Sequence, residues 1–169
     1  PATFSMDKLL WFNKHYLDSK SEEQLINAIN NKKFDGGQLS EKEKSLRDFY
    51  KNLLNFTINS SALMGEYQEI HFYNKDNTPT YDHRVLSYVR WSFDEKLVIV
   101  SNFDREKNYR FDLKIPQDII AKWGLADGIY PLKENLYGEQ KNKLKVEEGQ
   151  GKISIELDPL QSFIFRIAE

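Results

Sequence analysis

The chain has 169 residues, with 24 Lys+Arg against 26 Asp+Glu for a formal charge of −2, and it is 40 % hydrophobic and 14 % aromatic. That composition supports a packed core and provides no basic face for phosphates, nucleic acid or anionic lipid. There is no cysteine, which excludes disulfides, thiolate metal sites and cysteine nucleophiles, and no run of about 18 apolar residues that could cross a membrane as a helix.

The chain opens Pro-Ala-Thr-Phe, without an initiator Met or a charged-then-apolar leader, and this reads as a cut or engineered beginning. Met6–Ser19 has apolar residues at helical spacing. A second helix is expected from Ser21, where a capping box pairs Ser21 with Gln24. Lys33–Gln38, with its paired glycines, is a break. Helix resumes at Ser40 with a second capping box, Ser40 to Glu43. Leu46, Phe49, Tyr50, Leu53 and Leu54 then fall on one stripe. Such a stripe needs an apolar partner surface, since each side chain contributes roughly 1.5–3 kcal/mol when buried.

From Gly65 onward the expected period is two. Strands are predicted at Tyr67–Tyr73, Arg84–Ser92, Lys96–Phe103 and Tyr109–Ile115, with Asn74–Pro79 as a polar turn. In the last of these, Tyr109, Phe111, Leu113 and Ile115 should face inward. A short helical turn from Gln117 ends at Gly124, and four further strands follow: "GIYPL", "NKLKVEE", "KISIEL" and "SFIFRIA". The fold class is therefore α+β. A helical segment over 1–59 precedes an all-β antiparallel sandwich of about eight strands over 60–169.

The residues offer little for chemistry. The carboxylate pairs Glu22/Glu23, Asp94/Glu95 and Glu147/Glu148 lie in helix starts or turns and read as solvated surface charge. His15, His71 and His83 have no metal-ligand spacing. Asn74, Asp76, Asn77 and Asp82 could offer oxygen to calcium, but they lack the spacing and glycine of a calcium loop. Gly36-Gly37 is no phosphate cradle, and the triplets at Asn55 and Asn59 match the glycosylation pattern, which is common by chance. No metal or cofactor is expected. Trp91 and Trp123 read as core or interdomain packing, and Trp11 as covered by a neighbouring domain. Tyr130 and Tyr137, near late turns, are the candidate carbohydrate contacts.

Three stretches together carry a resemblance. "FYKNLLNFTINSSALMGEY" resembles the last barrel helix and exit of α-amylase-type hydrolases, glycoside hydrolase family thirteen. "VLSYVRWSFDEKLVIVSNFDRE" is similar to the hairpin that follows it there, and "NLYGEQKNKLKVEEGQGKISIELDPLQSFIFRIA" to the closing strands. The likeness covers Phe34 to Glu169. It departs from the family at Phe56-Thr57, where an Arg is frequent, and residues before Lys33 read as an insertion.

The resemblance implies a catalytic β/α barrel upstream, with Ser40–Ile58 as its last helix and residues 60–65 as a domain boundary. The Leu46–Leu54 stripe would lie on that barrel. A retaining glycosidase needs two carboxyl groups about 5–5.5 Å apart. The family's acidic residues lie upstream of the last helix, so this chain would be the non-catalytic C-terminal portion, inactive alone. The resemblance implies a parent that cleaves α-glucosidic bonds in starch-like glucans with retention. The expected partners are the barrel, α-glucan and, through the exposed helical face, a second copy. The alternatives are a stand-alone carbohydrate-binding module, with coplanar exposed aromatics, and a protein-interaction domain that docks through its helices.

Overall fold

The computed structural model describes Ser21 and residues 39–138 and 142–168. The helices expected over Met6–Ser19 and after Ser21, the Gln24 capping partner, the Lys33–Gln38 break, Trp11 and His15 lie outside the described residues. The chain divides into two compact units, 1–48 and 49–169. The described end of the first unit starts helix α1 (Glu41–Asn59). The Ser40 capping box forms there in both directions. The Glu43 N–H donates to Ser40 Oγ at 3.3 Å, and the Ser40 N–H donates to Glu43 Oε2 at 2.9 Å.

The second unit takes α1 from Phe49, turns through a 3-10 segment (Ala62–Met64), and continues as β1 (Glu66–Glu69), α2 (His71–Asn77), β2 (Val85–Trp91), β3 (Lys96–Asn102) and β4 (Tyr109–Ile115). Then come α3 (Gln117–Trp123), β5 (Gly128–Glu134), β6 (Lys143–Glu147), β7 (Gln150–Leu157) and β8 (Ser162–Ile167). The eight strands run in the order β1-β2-β3-β8-β5-β6-β7-β4, with every neighbouring pair antiparallel. Strand β5 makes the sheet curl, because Gly128–Pro131 pair with β6 while Leu132–Glu134 pair with β8.

Alternation fills the space between the two halves. Val85 and Val89 of β2, Val98 and Val100 of β3, and Phe163 and Phe165 of β8 share one core with Phe111 and Leu113 of β4 and Ile153 and Ile155 of β7. Strand β4 alternates as expected, with Tyr109, Phe111, Leu113 and Ile115 buried. Helix α3 closes one end with Ile119, Ile120 and Trp123, and Gly124 ends it at φ +67°. Packing is tight beside it: a Cβ on Gly151 would sit 2.9 Å from both Ile120 Cδ1 and Leu144 Cδ1.

Two local expectations fail. The strand expected over Tyr67–Tyr73 stops at Glu69, and the polar turn after it is largely helix α2. Asn74 explains the change. Its buried amide donates to Ile70 O and Lys114 O, and its Oδ1 accepts the Lys114 N–H at 2.7 Å. This pins the segment to β4 as a helix instead of letting it extend. The period-two expectation also fails in β3, where Leu97, Val98, Ile99 and Val100 are all buried. Val98 and Val100 face the main core, while Leu97 and Ile99 belong to a second cluster on the opposite face.

Candidate functional site

That second cluster locates the site. Ala62, Leu97, Ile99, Leu136 and Ile164 form a buried apolar bed on the outer face of β3 and β8, and Phe49, Leu53 and Phe56 of α1 pack onto it. The spacing i, i+4, i+7 puts these three side chains on one face of the helix. Phe49 also stacks on Tyr137, with ring centroids 5.8 Å apart at 29°. A different row, Tyr50, Leu54 and Ile58 at i, i+4, i+8, points away and is 54 %, 58 % and 80 % exposed. Leu46, earlier in the same helix, is exposed as well. The single stripe expected from sequence is thus two. Phe49 and Leu53 lie on this chain's own sheet instead of on a neighbouring domain, whereas the adjoining row stays open. Helical spacing could not separate them, because both rows are 3.6-periodic.

A buried carboxylate fixes the exit of the helix. Glu95, in the β2–β3 turn, accepts from Ser60 Oγ at 2.6 Å and from the Ala62 N–H at 3.0 Å, and lies 3.4 Å from the Arg166 Nε. Ser61 and Ser92 hydroxyls meet at 2.8 Å in the same place. Glu95 is therefore not the solvated charge expected from its position in a turn; its neighbour Asp94 is exposed. The sequence signal was present in the Ser60-Ser61 pair, two hydroxyls at a helix end with no partner within the helix.

Two more buried acids shape the neighbouring loops. Glu134 collects the N–H groups of Leu136, Tyr137 and Gly138 and folds the segment that supports Phe49. Asp104 accepts from Arg84 at 2.5 Å, from the Glu106 and Lys107 N–H groups and from the Tyr109 hydroxyl. These donors, led by the Glu106 N–H, hold the Asp104 carboxyl well below the usual carboxylate range. Burial, together with the hydrogen bond to Asp104, pushes the Tyr109 hydroxyl up to about 12. These acids bind protein donors, a structural employment.

The remaining sequence candidates are spread out. Tyr130 packs partly against the main core and donates its hydroxyl to Ala126 O at 2.8 Å. Tyr137 is 47 % exposed, with Phe49 on one ring face and Phe163 at its edge. Trp91 and Trp123 meet edge to face at 6.3 Å, the packing role expected of them. His71 Nδ1 bonds Val85 O, and exposed His83 sits 3.1 Å from Asp82. Of the four oxygen donors weighed for calcium, Asn74 and Asn77 use their amides on backbone carbonyls. Among the described residues no group of three or more His, Cys, Asp or Glu could hold a metal ion.

Residues 76–168, more than half of the chain, match the family model described as the α-amylase C-terminal all-β domain. Among solved structures, a variant of AmyP in complex with maltotriose is similar at 17 % identity and TM-score 0.50, over 77 % of this chain and 22 % of that one. AmyP in complex with maltose is similar at 18 % identity and TM-score 0.50, over 76 % and 22 %. An Anoxybacillus α-amylase is similar at 16 % identity and TM-score 0.50, over 79 % and 24 %. The match thus spans less than a quarter of each of these longer chains, and at such identities the likeness is one of fold. No curated protein matches the chain.

Proposed function

The chain belongs to the α-amylase C-terminal all-β domain family, and we propose that it is the non-catalytic closing portion of a longer α-amylase-like hydrolase acting on α-glucans. The observation that carries this reading is the two-sidedness of α1. One row of the helix is seated on the sandwich, and the next, with Tyr50, Leu54 and Ile58, is left open. A catalytic barrel of the same longer chain would cover the open row, and Glu95 would hold the helix at a fixed angle between the two. Roughly 25 cal/mol for each Å² of apolar surface removed from water gives such a contact its driving force. The AmyP structures, with maltose and maltotriose bound, support the substrate class by analogy of fold. Tyr137, half-exposed, remains a proposed glucan contact.

The test compares two proteins. Leu54→Glu placed in the 169-residue chain should leave its melting temperature unchanged within about 1–2 °C. In the product of the complete gene, the same substitution should lower the melting temperature by several degrees and reduce hydrolysis of maltooligosaccharides. A complete gene that encodes no βα units upstream would overturn the proposal, as would hydrolysis by the 169-residue chain alone. Should the open row meet a second copy instead, sedimentation of the 169-residue chain would show a dimer that Leu54→Glu dissolves.

A further inference from the structure

An open sheet has two end strands, whose outward backbone groups can recruit a strand from another chain. Here the end strands are β1 and β4, and they are protected differently. Strand β1 is four residues long and carries Glu66 and Glu69, and a short, charged edge discourages pairing. Strand β4 is seven residues long, with β7 on one side and no strand on the other. Lys114 turns its backbone groups outward, where they meet Asn74, and the two-residue alternation turns those of Asp112 and Arg110 the same way.

Side chains stand where a further strand would pair. Asn74 Nδ2 donates to Lys114 O at 2.8 Å, and Asn74 Oδ1 accepts the Lys114 N–H. Thr78 Oγ1 lies 3.4 Å from Asp112 O, and Thr80 Oγ1 donates to Arg110 O at 3.0 Å. Ascending positions on this segment meet descending positions on β4, so it runs antiparallel, as a paired strand would. Spacing explains how a helix manages this. The turn from Asn74 to Thr78 rises about 6 Å, close to the roughly 6.7 Å between alternate carbonyls of a strand. Pro79, between the two threonines, has no N–H, so the covering segment offers no continuous ladder of its own.

The outer face of β4 carries Arg110, Asp112 and Lys114, alternating in charge. Two copies aligned antiparallel about Phe111 would set Arg110 of each opposite Asp112 of the other, a favourable cross-strand pair. We propose that Asn74, Thr78 and Thr80 block the β4 edge, and that the partner they exclude is a second copy of this chain in that register. The block is independent of the open row of α1, which lies on another element.

The test uses the 169-residue chain carrying Leu54→Glu, which removes the open row as a route to association. Thr78→Val/Thr80→Val frees two outward carbonyls while leaving Asn74 in place. In sedimentation equilibrium this variant should self-associate roughly tenfold more tightly than its parent, or better. Adding Asp112→Pro, which deletes an outward N–H of β4, should restore the parent's behaviour. A double variant that is folded by near-ultraviolet circular dichroism and associates no more than its parent would overturn the proposal. Association that survives Asp112→Pro would also overturn it, because another surface would then be forming the contact. Should the double variant not fold, Thr80→Val alone, at an exposed side chain, makes the same comparison with an expected gain of about threefold, and no gain would sink the proposal.

Discussion

Glu95 and Asp104 are both acidic residues in turns, and both are 5 % exposed. Their partners give them separate consequences. Replacing Glu95 with Ala strands the Ser60 hydroxyl and the Ala62 N–H, and deprives Arg166 of its ion pair. The expected loss is about 2–3 kcal/mol in urea unfolding, with Glu95→Gln costing less because it can still accept. At Asp104 the effect appears in pH dependence. Its carboxyl is held below its ordinary value of 3.8, so the stability it contributes is whole above about pH 4 and drains away as the pH falls further. Tyr109 works in the other direction. Raised from 10.0 to about 12, it favours the folded state fully below pH 10 and loses that contribution as the pH climbs toward 12. Asp104→Asn should therefore flatten the acid limb of the melting temperature profile below pH 4, and Tyr109→Phe the alkaline limb above pH 10. An unchanged acid limb in Asp104→Asn would show that other carboxylates govern it.

At the scale of elements, helix α1 offers the clearest contrast, because neighbouring leucines should behave differently. Leu53 sits on the bed of Leu97, Ile99 and Ile164, while Leu54 is 58 % exposed. Leu53→Ala should cost the 169-residue chain about 1–2 kcal/mol, less than a fully buried leucine, and Leu54→Ala under about 0.5 kcal/mol. Equal costs in chemical denaturation would mean that the helix rotates on its bed. The link after α1 is equally constrained. A Cβ on Gly65 would come within 2.1 Å of Trp91 O, a backbone atom. Gly65→Ala should therefore separate β1 from β2 and lower the melting temperature by several degrees, although Gly65 has no left-handed backbone. The Tyr67–Tyr73 segment shows the limit of reading elements from a pattern. "YQEIHFY" alternates well enough for a strand, yet one buried amide, Asn74, answers to Lys114 forty residues away and makes its second half helical.

For the whole molecule, most of the order of the described elements was legible: a helix from Ser40, then eight short strands and a Gly-capped helical turn, with helix α2 the element the pattern missed. Alternation and turn residues are local properties, and each strand wrote its own. The same reading located the family, because three separate stretches kept their order and spacing. Which side chains would meet was less legible. The curl of the sheet depends on β5 changing partners midway, and the double burial of β3 depends on α1 returning to cover it. An uninterrupted "LVIV" in an otherwise alternating region was the available clue to that second burial.

Residue type and period, taken alone, determined the class of most elements, the inward face of strands such as β4, and the demand of α1 for an apolar partner. Only the tertiary structure decided which row of α1 meets that demand within the chain and which stays open, and which acids are buried. The physical reason is that periodicity reports a side chain's direction relative to its own backbone, whereas burial depends on what another segment brings opposite it.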